Sequence, residues 1–343
     1  MAKLDKVDGR WVNLEKPGGK VIFVGGGTAA YNGVGASDTF PGTRPEEPKS
    51  TIDGASGAVN NCTSGRGDTI VMLPGSITIT TAMALDVADL TLTGYVNVAP
   101  GERPPCVIVN ATDVNSAQVT ADNVVIENLT FDCNVATATA DTEVIQISGA
   151  GIGAVTGTVI RNCFFDQAGA DSDLDVLGVG FDSDDTSLNA LIEGCTFHDV
   201  DQIAIRIPTG SDANHIIGCT FYDEVSANIA SDVISIAGDD TVIRDCTIRS
   251  GNITNTQACI LLEATALNTT IDRCHLWANG ANGICVLLED GAEASGLNCH
   301  AISSAAATLW KHGSDVDGIS GVTGIMHSPA DASACELMLP TAS

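Results

Sequence analysis

No lysine stands between Lys49 and Lys311, and the whole chain carries 15 basic residues against 43 acidic ones, a formal net charge of -28. A protein so poor in positive charge has little with which to neutralise phosphates. Direct binding to nucleic acid or to an anionic membrane is therefore disfavoured. The acidity reads first as a solvated, self-repelling surface.

Proline is nearly absent from the middle of the chain, where only Pro208 stands between Pro105 and Pro329. Interior strands need every backbone N–H for their ladders, so this gap suits a continuous sheet. Aromatics are also few, with three Trp, three Tyr and eight Phe in 343 residues. Long apolar runs are missing too. Met1–Lys20 holds none of signal-peptide length and no later stretch reaches the roughly 18 residues of a membrane span, so synthesis in the cytoplasm is expected. Without an export signal, the twelve cysteines are expected to be reduced thiols.

What is present is an internal repeat. Ile160-x-x-Cys163, Ile192-x-x-Cys195, Ile216-x-x-Cys219, Ile243-x-x-Cys246 and Ile271-x-x-Cys274 are each followed two places later by an apolar residue: Phe165, Phe197, Phe221, Ile248 and Leu276. Val124–Phe131 is the same unit with Leu129 in the cysteine slot, and Cys299 closes a degenerate copy. The steps between successive cysteines are 32, 24, 27, 28 and 25 residues, which suits coils whose turns differ in length. A second alternating strand recurs in its own phase at Ile145, Leu177, Ile205, Ile234, Ile260 and Cys285. Period-two alternation buries one face and wets the other.

Two such strands per coil, stacked in register, specify an all-β fold: a right-handed, single-stranded parallel β-helix over residues 68–303. Residues 1–48 read as an N-terminal arm and entry segment, 49–67 as a short capping helix, and 304–343 as a C-terminal cap or contact arm. The row Cys163, Cys195, Cys219, Cys246, Cys274 and Cys299 reads as an interior stack of small, polarisable side chains. Parallel side-chain vectors make disulfides between neighbours geometrically poor.

The segment Gly35–Ala55 (GASDTFPGTRPEEPKSTIDGA), followed by Gly65–Ser76 (GRGDTIVMLPGS), resembles the opening of parallel β-helix proteins of the pectate-lyase-like superfamily. There a Pro-Gly turn, a capping helix and a G-D-x-I entry precede the first coil. Within that superfamily the chain is most similar in character to the β-helix proteins that tailed bacteriophages carry on their virions. The resemblance implies partners among major capsid or other virion proteins, assembly as a homo-oligomer, in particular a trimer, and residence in the virion.

Catalysis finds little support in the residues. A polysaccharide lyase or hydrolase needs clustered carboxylates, a base and aromatic platforms. Asp171-x-Asp173-x-Asp175, Asp182 with Asp184-Asp185, His198-Asp199-x-Asp201 and Asp239-Asp240 supply carboxylates, yet Phe165, Phe197 and Phe221 are claimed by the core. Arg161, Arg244 and Arg273 are expected to pair with acids on the surface. Asp171, Asp173, Asp175 and Asp182 are the candidate metal ligands, for calcium. Their loop departs from the EF-hand pattern, with Val176 where glycine is needed, and a solvated turn is the simpler reading. Arg66-Gly67-Asp68 spells an adhesion tripeptide, although its Gly-Asp also serves to turn the chain before a strand. No catalytic or cofactor-binding residue is assigned. The leading expectation is a non-enzymatic virion protein, a head decoration docked through its arms, with a tail-associated depolymerase or receptor-binding protein as the alternative.

Overall fold

A computed structural model describes residues 4–7, 10–13, 19–25, 35–95, 101–110, 115–132, 142–147, 154–166, 176–180, 187–199, 203–222, 232–250, 258–278, 284–289, 291–303, 310–312, 319–320 and 326–327. Each coil contributes to three parallel sheets, not two. The first sheet runs from Val21–Val24 through Thr69–Met72, Thr91–Gly94, Val125–Glu127, Val159–Arg161, Leu191–Glu193, His215–Ile217 and Val242–Arg244. The second runs from Gly75–Ile79 through Cys106–Asn110, Thr130–Asp132, Phe164–Asp166, Thr196–His198, Thr220–Tyr222 and Thr247–Ser250. The long strands Thr269–Ala278 and Ala294–Ser303 continue both sheets. The third sheet stacks Met83–Leu85, Ala117–Val119, Thr142–Ile147, Val176–Gly180, Ile205–Ile207, Ile234–Ile236, Ala258–Leu262, Ile284–Leu288 and Trp310–His312.

The cysteine unit is itself two strands with a corner between them. Immediately before the cysteine slot stand Asn128, Asn162, Gly194, Gly218, Asp245 and Arg273, all with φ between 51° and 63°. Asn, Asp and Gly tolerate this left-handed conformation best, and it swings the chain from the first sheet into the second. Each sulfur then lies 3.6–3.8 Å from the carbonyl of the isoleucine one coil back, as in Cys195 to Ile160 and Cys219 to Ile192. From Cys163 to Cys274 it also lies 3.3–3.6 Å from the carbonyl two residues before it. A thiol at this corner thus fills space and supplies a weak donor. All six are buried and unbridged, and burial pushes the thiols of Cys195 and Cys219 well above the ordinary range.

Beside the sulfurs, Phe131, Phe165, Phe197 and Phe221 stack ring on ring, with centroids 5.2, 4.8 and 4.6 Å apart. Stacked pairs of this kind contribute about 0.5–1.5 kcal/mol each beyond their burial. Isoleucine lines the other two walls, in a column from Ile126 to Ile271 on the first sheet and at Ile145, Ile205, Ile234 and Ile260 on the third.

Three boundaries differ from expectation. Val21–Val24 pairs in parallel with Thr69–Met72, so the first rung of the solenoid lies within residues 1–48, the expected N-terminal arm and entry segment. The strand precedes a long excursion, which hid its phase. Strands Trp310–His312, Ile319–Ser320 and Met326–His327 extend the sheets past residue 303. The expected capping helix over 49–67 is replaced by turns with a single 3-10 turn at Val59–Asn61. Gly54, with φ 107°, breaks any helix there, and the Asp53 carboxylate accepts the N–H of Gly54 at 2.6 Å and of Ala84 at 2.9 Å.

The excursion is tied down by buried polar groups. Asp38 accepts N–H bonds from Ser50 and Thr51 and the Thr51 hydroxyl, all at 3.0 Å. Buried Lys49 donates to the carbonyls of Asp38 and Ser56. Among the described residues no helix is long and apolar enough to cross a membrane.

Candidate functional site on the second sheet

Each short strand of the second sheet points its middle residue inward, which leaves two outward columns. One runs Thr130, Phe164, Thr196, Thr220, Thr247, His275; the other runs Asp132, Asp166, His198, Tyr222, Arg249, Trp277. Neighbours in a column are one strand spacing apart, about 4.8 Å. The face thereby carries a linear array of charged, aromatic and hydroxyl groups along the solenoid axis.

At the N-terminal end the array is covered and satisfied. The segment 101–110 brings Arg103 over the strands, with Nη1 2.7 Å from Asp166 Oδ2, Nη2 3.4 Å from Asp132, and the guanidinium 5.7 Å from the Phe164 ring centroid. Thr130 donates its hydroxyl to the Pro104 carbonyl at 2.8 Å. His198 Nδ1 lies 3.0 Å from the other Asp166 oxygen, and its Nε2 lies 3.7 Å from Asp199. Both oxygens of the buried Asp166 are therefore engaged, as a buried carboxylate requires. The His198 ring also packs 4.8 Å from Tyr222.

Toward the C-terminal end the same columns open. Thr247, Arg249 and His275 are exposed, and Trp277 keeps 43% of its surface in water. The Arg249 guanidinium sits 4.9 Å from the Trp277 ring centroid, a cation–π contact. Chemically, the face offers an orienting carboxylate–imidazole pair at one end and an aromatic-cationic platform with hydroxyls at the other.

Of the residues singled out from the sequence, His198 and Asp199 lie on this face. Asp239 and Asp240 do not: Asp240 is a left-handed corner residue. Asp239 accepts the Leu267 N–H at 3.0 Å while its own N–H goes to Asp212. That column caps turns from coil to coil. Arg161, Arg244 and Arg273 pair across coils of the first sheet or its corner with Glu127, Asp272 and Asp245. Asp68 is buried and holds Arg66, the Lys20 N–H and the Thr63 N–H, so the adhesion tripeptide is a structural turn. Asp171, Asp173, Asp175 and Asp182 lie outside the described residues. Among the described residues no group of three His, Cys, Asp or Glu side chains converges as a metal site.

Arg103, Phe164, Asp166, Tyr222, Arg249 and Trp277 were not singled out as site residues by sequence reasoning. Their signal was available: they stand one or three places after the cysteine slot, on the opposite side of the strand from the core residue, or reach that side from a neighbouring turn.

Three sheets of in-register parallel strands wound along one axis define a parallel β-helix solenoid. The family model described as "Right handed beta helix region" matches residues 113–300, and the chain belongs to that family. No curated protein matches it. Among solved structures it is similar to ORF18 of Geobacillus virus E2, at 12% identity over 96% of this chain and 67% of that one, with a TM-score of 0.45. The A-module of the Azotobacter vinelandii mannuronan C-5 epimerase AlgE6 matches at 13% identity over 77% and 88%, with a TM-score of 0.47. The tailspike protein of Acinetobacter phage vB_ApiP_P1 matches at 13% over 95% and 61%, with a TM-score of 0.41. These are likenesses of fold alone.

Proposed function

We propose that the chain is a non-enzymatic bacteriophage virion protein, a rigid β-helix docked on the head through its terminal arms. In this reading it assembles as a trimer and presents the outer face of the second sheet to a saccharide. The observation that carries the saccharide contact is the open end of that face. An exposed indole, a guanidinium and the hydroxyls of Thr220 and Thr247 stand there on successive strands. Aromatic rings offer an apolar plane to the C–H face of a pyranose, and flanking donors and acceptors match its hydroxyls. The virion assignment is supported by a general likeness to phage β-helix proteins: a short polar N-terminal arm, the Gly25-Gly26-Gly27-x-x-x-Tyr31 entry and a low aromatic content.

Turnover is disfavoured by the state of the covered end. A general base must be within reach of substrate, whereas Asp166 is buried beneath Arg103 and holds Arg103 and His198 on its two oxygens. A second reading, a tail-associated depolymerase, is favoured by one observation. The Asp166–His198 pair with Asp199 behind it is an arrangement that could orient an imidazole for acid–base work.

Imaging of intact particles with the chain labelled, together with incubation of the purified protein with capsule, tests the proposal. Density on the head and retention of capsule without chain shortening are the expected results. Location at the tail tip together with released oligosaccharides overturns it in favour of the depolymerase.

A further inference from the structure

The two ends of the second-sheet face differ in charge as well as in cover. Asp132 and Asp166 stand at the covered end. From Thr220 onward the columns hold Thr220, Tyr222, Thr247, Arg249, His275 and Trp277, with no carboxylate among them. On a chain of net charge -28, this patch is a local exception.

Arg66, Arg103, Arg161, Arg244 and Arg273 each meet a carboxylate. Among the described residues Arg44, Arg206 and Arg249 make no ion pair with a carboxylate, and of these three Arg249 is the one that lies on an aromatic ring, that of Trp277. A guanidinium held flat against an indole is pre-positioned, and its outer edge stays available for a bidentate pair with an incoming carboxylate. The exposed part of the same indole would support the sugar ring that carries that carboxylate.

Resting on the saccharide contact proposed above, we infer that Arg249 and Trp277 form a subsite for one carboxylated sugar residue, flanked by neutral sugars. A saccharide acidic at every residue fits poorly. Running along the axis, it would lay carboxylates beside Asp132 and Asp166, where like charges repel. The favoured ligand is therefore a polysaccharide whose repeat unit carries an isolated carboxylate. An acidic peptide could satisfy Arg249, but it would not use the indole as a ring platform.

Binding to the full-length protein should be measured by calorimetry at fixed, moderate salt with four probes. These are a hyaluronan oligomer, in which acidic and neutral residues alternate, an oligogalacturonate, a neutral gluco-oligosaccharide and poly-glutamate. The hyaluronan oligomer is expected to bind best. Arg249→Gln should weaken it by about tenfold or more, the usual scale for removing a charge-assisted contact; Arg249→Lys should recover part of the loss and Trp277→Ala should match it. Both side chains are exposed, and unchanged thermal melting confirms that each variant is folded. If the neutral oligomer binds as well as hyaluronan and Arg249→Gln is silent, the acidic subsite is wrong while the saccharide face stands. If no saccharide binds, both readings fall. Preference for poly-glutamate with the same Arg249 dependence overturns the subsite in favour of a peptide.

Discussion

The two sides of the second sheet are made by alternate residues of the same strands, yet they follow opposite rules. Inward, the column reads Phe131, Phe165, Phe197, Phe221, Ile248, Leu276, nearly one residue type repeated and fully packed. Outward, one place further along, it reads Asp132, Asp166, His198, Tyr222, Arg249, Trp277, a different chemistry at every step after the first. Repetition is what stacking demands, because each side chain packs on its own counterpart above and below. Variation marks positions that stacking does not constrain, and there another requirement can act.

The sharpest way to break the inward side is Phe197→Ala, which removes a ring stacked on both faces. A loss of about 3–5 kcal/mol is expected, read as a lower denaturation midpoint in urea. A loss under about 1 kcal/mol would mean that the column is not a cooperative core.

The next effect comes from the third sheet and depends on pH. Burial, with smaller contributions from Glu263 and Glu289, pushes the Asp232 carboxyl up to about 6 from an ordinary 3.8. The folded chain then binds this proton more tightly than the unfolded chain. Stability falls as pH rises from about 4 to about 6 and stays lower above that window. Asp232→Asn should flatten this slope and add about 1–2 kcal/mol at neutral pH, the partial exposure of the group keeping the gain below the full value of the shift. Asp68 has the opposite sign. Burial opposes its charge, but the Arg66 pair and the N–H bonds from Lys20 and Thr63 outweigh burial and hold its carboxyl below 3.8. Its contribution is lost as pH drops beneath that value. Melting temperatures across pH 3 to 8 for the parent, Asp232→Asn and Asp68→Asn separate the two.

Corners should respond more mildly. Asn162→Ala, at φ 51°, is expected to cost about 1 kcal/mol, and Asn162→Gly little. Smallest of all on stability is Arg249→Gln, within about 0.5 kcal/mol as for most exposed changes. The same substitution should have the largest effect on ligand binding, and that contrast is the test of the two-sided comparison.

The inward side was legible in the sequence because it repeats: Ile-x-x-Cys-x-apolar named the interior positions that the structure packs together. The corner was less plain, although Asn128, Asn162, Gly194, Gly218 and Asp245 before the cysteine slot are the residue types that a left-handed bend selects. Reading that slot as the middle of one strand gave two sheets where there are three. The outward columns were least legible. His198 and Tyr222 share no residue type, and only the register between coils brings them into contact. Phe165, Phe197 and Phe221 are indeed interior, but Phe164, Tyr222 and Trp277 alternate to the other side. Nothing in the local sequence of Arg103 connects it to Asp166, 63 residues on.

The sulfur row has one further use. Six thiols in nearly identical surroundings, each facing a carbonyl of the preceding coil, form a set of matched S–H oscillators in a part of the infrared spectrum where proteins otherwise absorb little. Unzipping of the solenoid from either end would release them one at a time. Their stretching band is thus an internal gauge of how many coils remain closed, readable without any added label.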